Sequence, residues 1–153
     1  MKSSIVNQQP IRAATIAHTG PYHEIGEAFA KLGPAAHGTS LLSPTVMMIA
    51  IYYDNPETTP ASHLRSEAGI VVDEDAQIPP ALTERLLSSG RYLHTRHLGS
   101  YDGLPAAWAY LREHALREHG VARGEGPAYE MYPNNPGNAA ASNLITDIYI
   151  PVQ

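Results

Sequence analysis

Glu130 is the one charged residue in the run Ala128-Tyr129-Glu130-Met131-Tyr132, which otherwise has the apolar and aromatic make-up of a strand. A carboxylate among apolar groups is costly when unpaired, gains a proton readily and is relieved by a bound cation. Residue type alone leaves it equally open to be a solvent-facing strand glutamate. Tyr22, Tyr52, Tyr101, Trp108, Tyr132 and Tyr149 could surround such a cation with flat, negatively polarised ring faces. Each ring taken singly also fits an ordinary core position. Strand alternation puts Tyr132 on the face of Glu130, and Tyr129 and Met131 on the other.

Other chemistry is poorly supported by spacing. His94 and His97 are three apart on a strand and diverge, and His114 and His119 are five apart on a helix and diverge too. With no His-x-x-x-His pair, no metal site or other cofactor is expected. His18 and His97, each two residues before a glycine, are expected to bond nearby backbone at a strand-to-helix turn. Ser40 and Ser100 lack the Gly-x-Ser-x-Gly setting of a hydrolase elbow. Gly124-Glu125-Gly126-Pro127 has no lysine to hold a phosphate and follows a helix, so it reads as a connector.

The elements that position these residues come from an internal repeat. An offset of 79 places Arg12 on Arg91, His18 on His97, Gly20 on Gly99, Tyr22 on Tyr101, Ala28 on Ala107, Ala30 on Ala109 and Leu32 on Leu111. Such agreement is far above what composition supplies. The same offset sets Glu130 opposite Ile51, and Tyr53-Asp54-Asn55-Pro56 meets Tyr132-Pro133-Asn134-Asn135-Pro136 after a one-residue slip.

Each copy changes period in the same order. Arg12–His18 and Arg91–Leu98 read as strands ended by glycine. Tyr22, Ile25, Phe29 and Leu32 then form one apolar helix stripe, and Tyr101, Leu104, Trp108, Leu111 and Ala115 form the other. Gly33-Pro34 and Gly120 are the expected helix stops. Thr45–Tyr53 and Ala128–Tyr132 are the next strands, and Ala68–Val72 and Leu144–Val152 the last. The expected fold is therefore α+β: tandem β-α-β-β units with pseudo-twofold symmetry, a joined antiparallel sheet, two helices on one face and a cleft along the axis. One domain over 1–153 is expected, with repeats at about 10–76 and 90–153 and a linker at about 77–89.

Composition bounds the partners. A net charge of -5 supplies no positive field for a phosphate backbone, so direct nucleic-acid binding is not expected. No segment approaches the roughly 20 apolar residues of a membrane span, and the first ten residues lack a signal peptide's apolar run. The absence of cysteine removes disulfides, thiolate metal sites and thiol nucleophiles, and a cytoplasmic location is the default.

Several runs resemble one family. They are His97-Leu98-Gly99-Ser100-Tyr101 with Trp108 on the following stripe, Tyr129–Pro136, Leu144–Pro151, and Leu64–Val72 in the first copy. In order and spacing they are similar to the GyrI-like small-molecule-binding domain. That family includes free-standing DNA gyrase inhibitory proteins such as SbmC and the effector-binding halves of AraC-type and MerR-type multidrug regulators. The resemblance spans about Arg12 to Pro151. It implies that Glu130 is the buried glutamate that holds lipophilic cations, with Tyr101, Trp108 and Tyr149 foremost among the surrounding rings. The chain departs from the family at Gly33–Ser40, a longer link after the first helix, and no helix-turn-helix precedes the first strand.

Three functions follow from the resemblance. The first is capture of amphipathic, often cationic, drugs or toxins in a cleft between the repeats. The second is hydrolysis of cyclopropane-bearing DNA-alkylating compounds, with Glu130 as general base and Tyr101 as the neighbouring aromatic residue. The third is binding to DNA gyrase. Regulation of transcription would require a separate DNA-binding regulator.

Overall fold

Both expected β-α-β-β runs form, and each gains a further strand. The fold is that of a computed structural model describing residues 2–43 and 45–153. In chain order the strands are β1 (Ser4–Gln8), β2 (Ile11–Thr19), β3 (Met48–Tyr52), β4 (Arg65–Val71), β5 (Thr83–Leu87), β6 (Gly90–Leu98), β7 (Ala128–Tyr132) and β8 (Ile145–Pro151). Helix α1 (Gly26–Ala36) follows β2, and α2 (Leu104–Tyr110) and α3 (Leu116–Glu118) follow β6, joined by a π-helical turn over Leu111–Ala115. The class is α+β, and the strand pairings within each half of the chain are antiparallel.

The chain divides into two units, Pro10–Ser88 and Met1–Gln9 with Ser89–Gln153. Strand order in the first is β5-β2-β4-β3 and in the second β1-β6-β8-β7. These orders match element for element. The strand that precedes each repeat is thus an edge strand of the other repeat's sheet: β1 pairs with β6, and β5 with β2. The stretch expected as a linker at 77–89 accordingly contains β5. Four of its five residues are exposed and only Leu87 is buried, so it has no hydrophobic alternation to announce it. Pairing with the open edge of β2 makes it a strand.

In the first unit Ala14, Ala68 and Ile70 face Ala28, Leu32 and Ala36 of α1. In the second Leu93, Ala128, Ile148 and Ile150 face Ala107, Leu111 and Ala115. Leu32 and Leu111, equivalent in the repeat, are 1% and 0% exposed, and burying each contributes about 1.5–3 kcal/mol.

The expected stop at Gly33-Pro34 is overturned, because α1 continues to Ala36 with Pro34 inside it. Pro34 loses one hydrogen bond close to the helix end, where few remain to lose, and continuation buries Ala36. The second stop is as expected. Gly120 has φ 65°, its N–H donates to Arg117 O, and that of Val121 donates to Leu116 O, the paired bonds of a Schellman cap. Among the described residues no helix is long and apolar enough to cross a membrane.

Candidate ligand site

Alternation along β7 turns Ala128, Glu130 and Tyr132 toward the helix layer of the second unit, with Ile148 paired opposite Glu130. The stripe of α2 brings Trp108 over the same place. Glu130 is 3% exposed. Its Oε2 accepts from Trp108 Nε1 at 2.5 Å, and its Oε1 accepts from the Tyr132 hydroxyl at 2.5 Å. Buried as it is, the carboxylate is supplied with donors. The two-residue strand step and the helix stripe each deliver a neutral donor, and hydrogen bonds to a carboxylate are of the stronger kind.

Tyr101 opens the short turn that leads into α2, and its ring meets that of Tyr132 edge-on, with centroids 5.9 Å apart. Burial raises the Tyr101 phenol above its ordinary pKa, and the Glu130 charge adds to the rise. Tyr101, Trp108 and Tyr132 are each half-buried. Three half-buried rings thus adjoin a carboxylate that is itself buried. This arrangement suits a cation with an apolar body, which the rings and the carboxylate attract together.

The first unit repeats the rings without the acid. Offsets of 79 and 80 place Phe29 at Trp108, Tyr22 at Tyr101 and Tyr52 at Tyr132. Tyr22 and Tyr52 pack with centroids 4.8 Å apart. The expected equivalence of Glu130 with Ile51 shifts by one residue, because β3 and β7 start 80 apart where β2 and β6 start 79 apart. Ala50, 0% exposed, is the counterpart, paired with Ala68 as Glu130 is paired with Ile148.

Tyr149 lies elsewhere. It pairs with Tyr129 in the β7–β8 register, so it shares the sheet face turned away from Glu130. There it stacks on Tyr129 at 5.0 Å and on His94 at 4.8 Å, with Tyr92 edge-on at 6.3 Å. On the same face His94 Nε2 meets Asp147 Oδ1 at 2.9 Å, and Arg96 grips both Asp147 oxygens at 2.9 Å. Burial alone would raise Asp147, but the bonds from His94 and Arg96 and their charge hold it down at about 2.

The first unit has a matching arrangement that residue types did not reveal. Glu67 takes bonds from Thr15, Tyr53 and Arg85, and burial and the Glu67 carboxylate push the Tyr53 phenol up. An 80-residue offset aligning Glu67 with Asp147 is the signal that would have found both.

His18 and His97 bond nearby backbone at their strand-to-helix turns, as expected. His18 Nε2 bonds Pro21 O at 3.2 Å, and His97 Nε2 bonds Ser100 O at 2.8 Å. Among the described residues no three His, Asp or Glu side chains gather as a metal site would require.

A family model described as the GyrI-like small molecule binding domain matches residues 1–153. A protein of Yersinia enterocolitica named DNA gyrase inhibitor is 33% identical over 160 residues, covering 100% of this chain and 98% of its own length. The C-terminal domain of EcmrR superposes with a TM-score of 0.75 at 17% identity, over 99% of this chain and 97% of that one. SAV2435 bound to tetraphenylphosphonium superposes with a TM-score of 0.62 at 13% identity, over 100% of this chain and 94% of that one. At those identities the two structures establish a shared fold.

Proposed function

The chain belongs to the GyrI-like family of small-molecule-binding domains, and on that premise we propose that it captures lipophilic cations at Glu130. The observation that carries this reading is a carboxylate 3% exposed, held by Trp108 and Tyr132 beside rings that remain half-buried. A cation whose charge is spread over an aromatic body loses little hydration on entering such a place. It gains ring-face attraction and a close negative charge. SAV2435, which shares the fold, holds a cation of this kind, which supports the reading.

The test is titration calorimetry with tetraphenylphosphonium and with neutral triphenylphosphine oxide, on the native protein and on Glu130→Gln. The substitution keeps the shape and removes the charge. Loss of the cation by about 1–3 kcal/mol, with little change for the neutral compound, is the expected result. Equal weakening of both, or no binding of the cation to the native protein, overturns the reading.

A second reading, inhibition of DNA gyrase, rests on the full-length likeness to the Yersinia protein of that name. Addition of the purified chain to a gyrase supercoiling assay should slow the reaction. Unchanged supercoiling at a large molar excess removes this reading and leaves the first intact.

A further inference from the structure

Ser66 and Thr146 are 1% and 0% exposed, and among the described residues neither hydroxyl has a hydrogen-bond partner. They hold the same position in the two units. Ser66 pairs with His18 across β2–β4, and Thr146 pairs with His97 across β6–β8. On its other side Ser66 pairs with Tyr52. Extending the β7–β8 register, with Glu130 opposite Ile148 and Met131 opposite Asp147, by one residue sets Tyr132 against Thr146, as Tyr52 is set against Ser66. Thr146 thus shares a sheet face with Glu130 and adjoins the tyrosine that donates to it. A hydroxyl buried without a partner is a net cost to folding, since valine fills the same volume without that loss.

The two units differ in the ring packed against that tyrosine, Tyr22 on Tyr52 in the first and Tyr101 on Tyr132 in the second. The Tyr22 hydroxyl donates to Asp54 O at 2.8 Å and Arg65 O at 3.2 Å and accepts from Asp54 N at 2.9 Å. Its ring is tied to the backbone on three sides. The matching Tyr101 hydroxyl makes no hydrogen bond among the described residues, and its ring rests against Tyr132. Movement of Tyr101 breaks no such bond, whereas movement of Tyr22 breaks three.

We propose that Thr146 sets the specificity of the Glu130 site: once the Tyr101 ring turns aside, its hydroxyl bonds a polar group carried on the body of the cation. The ligand class narrows to lipophilic cations that bear a hydroxyl, amide or carbonyl group on the aromatic body. This inference rests on the reading that Glu130 binds cations. Ser66 stands outside it, because its unit has Ala50 in place of a glutamate and a tethered Tyr22.

The experiment compares tetraphenylphosphonium with analogues carrying one hydroxyl at the meta or para position of a phenyl ring, on the native protein, Thr146→Val and Thr146→Ser. The native protein should favour one hydroxylated cation by about threefold to tenfold, the scale of one neutral hydrogen bond. Thr146→Val should abolish that preference and leave tetraphenylphosphonium within about twofold, whereas Thr146→Ser should keep it. The thermal midpoint of Thr146→Val should be unchanged or higher, which shows that the variant folds. A native protein without preference, or a preference that survives Thr146→Val, overturns the proposal while cation binding stands. Failure of every cation to bind the native protein removes both readings at once.

Discussion

Glu67 and Asp147 occupy the same place on β4 and β8, and each is buried against an arginine that a different strand supplies. Arg85 reaches Glu67 from the edge strand β5, whereas Arg96 reaches Asp147 from β6 beside it. The buried acid is common to both copies, and its counter-charge is not. A buried carboxylate needs compensation, but any nearby cation can provide it.

Asp147 should make the protein acid-sensitive in a defined window. Its pKa is about 2 in the fold against an ordinary 3.8. A depressed folded value contributes stability that is fully present above the unfolded pKa and lost as pH falls through the folded one. The contribution is roughly 2 kcal/mol, disappearing between about pH 4 and pH 2. Urea unfolding at stepped pH should show this slope, and Asp147→Asn should flatten it while lowering stability at pH 7. An unchanged slope would mean that other carboxylates govern acid unfolding.

Tyr22→Phe and Tyr101→Phe should separate although the two residues are equivalent. The first removes a hydroxyl with three bonds to backbone atoms and should cost about 1–2 kcal/mol. The second removes a hydroxyl without a hydrogen-bond partner among the described residues and should stay within about 0.5 kcal/mol of the native protein. Chemical denaturation of the pair decides it, and equal costs would contradict the difference in tethering.

Gly69→Ala should destabilise through overpacking. A Cβ there would lie 2.8 Å from Thr15 Cγ2, 3.0 Å from Ala14 O and 3.2 Å from Ile49 Cγ2. The flanking strands β2 and β3 cannot both move away, so a loss of about 1–3 kcal/mol is expected. A thermal midpoint equal to that of the native protein would show that the sheet yields more easily than its packing indicates.

Trp108, the single tryptophan of the chain, should report ligand capture. Its indole N–H is held by Glu130 at 2.5 Å, so a cation that engages the carboxylate alters the indole's electrostatic surroundings. Tetraphenylphosphonium should shift or quench its emission along the same curve as the calorimetric titration. Heat of binding without any change in emission would put the cation away from this pair.

Much of the fold was legible because local rules and the repeat point the same way. The stripe from Tyr101 through Trp108 to Ala115 follows helical period, and its counterpart in the first copy repeats it. The glycine stop at Gly120 carries its own chemistry, since a left-handed cap favours that residue. Strands β1 and β5 were not legible. Their residues are mostly polar or exposed, and what makes them strands is an open edge supplied by a segment far along the chain.

The site divides the same way. Residue order alone determined that Tyr132 shares a face with Glu130, because strand alternation is local, and that Trp108 lies on the buried stripe of its helix, because helical period is local. It could not determine that Tyr149 lies on the opposite face, since that depends on which residue of β7 it pairs with, and register is set between strands. Nor could it reveal that Glu130 takes its second donor from a helix, or that Tyr22 is tied while Tyr101 is not. Those bonds join residues 22, 32 and 43 positions apart. Periodicity reaches only as far as one element, and only the packing of elements decides which side chains meet.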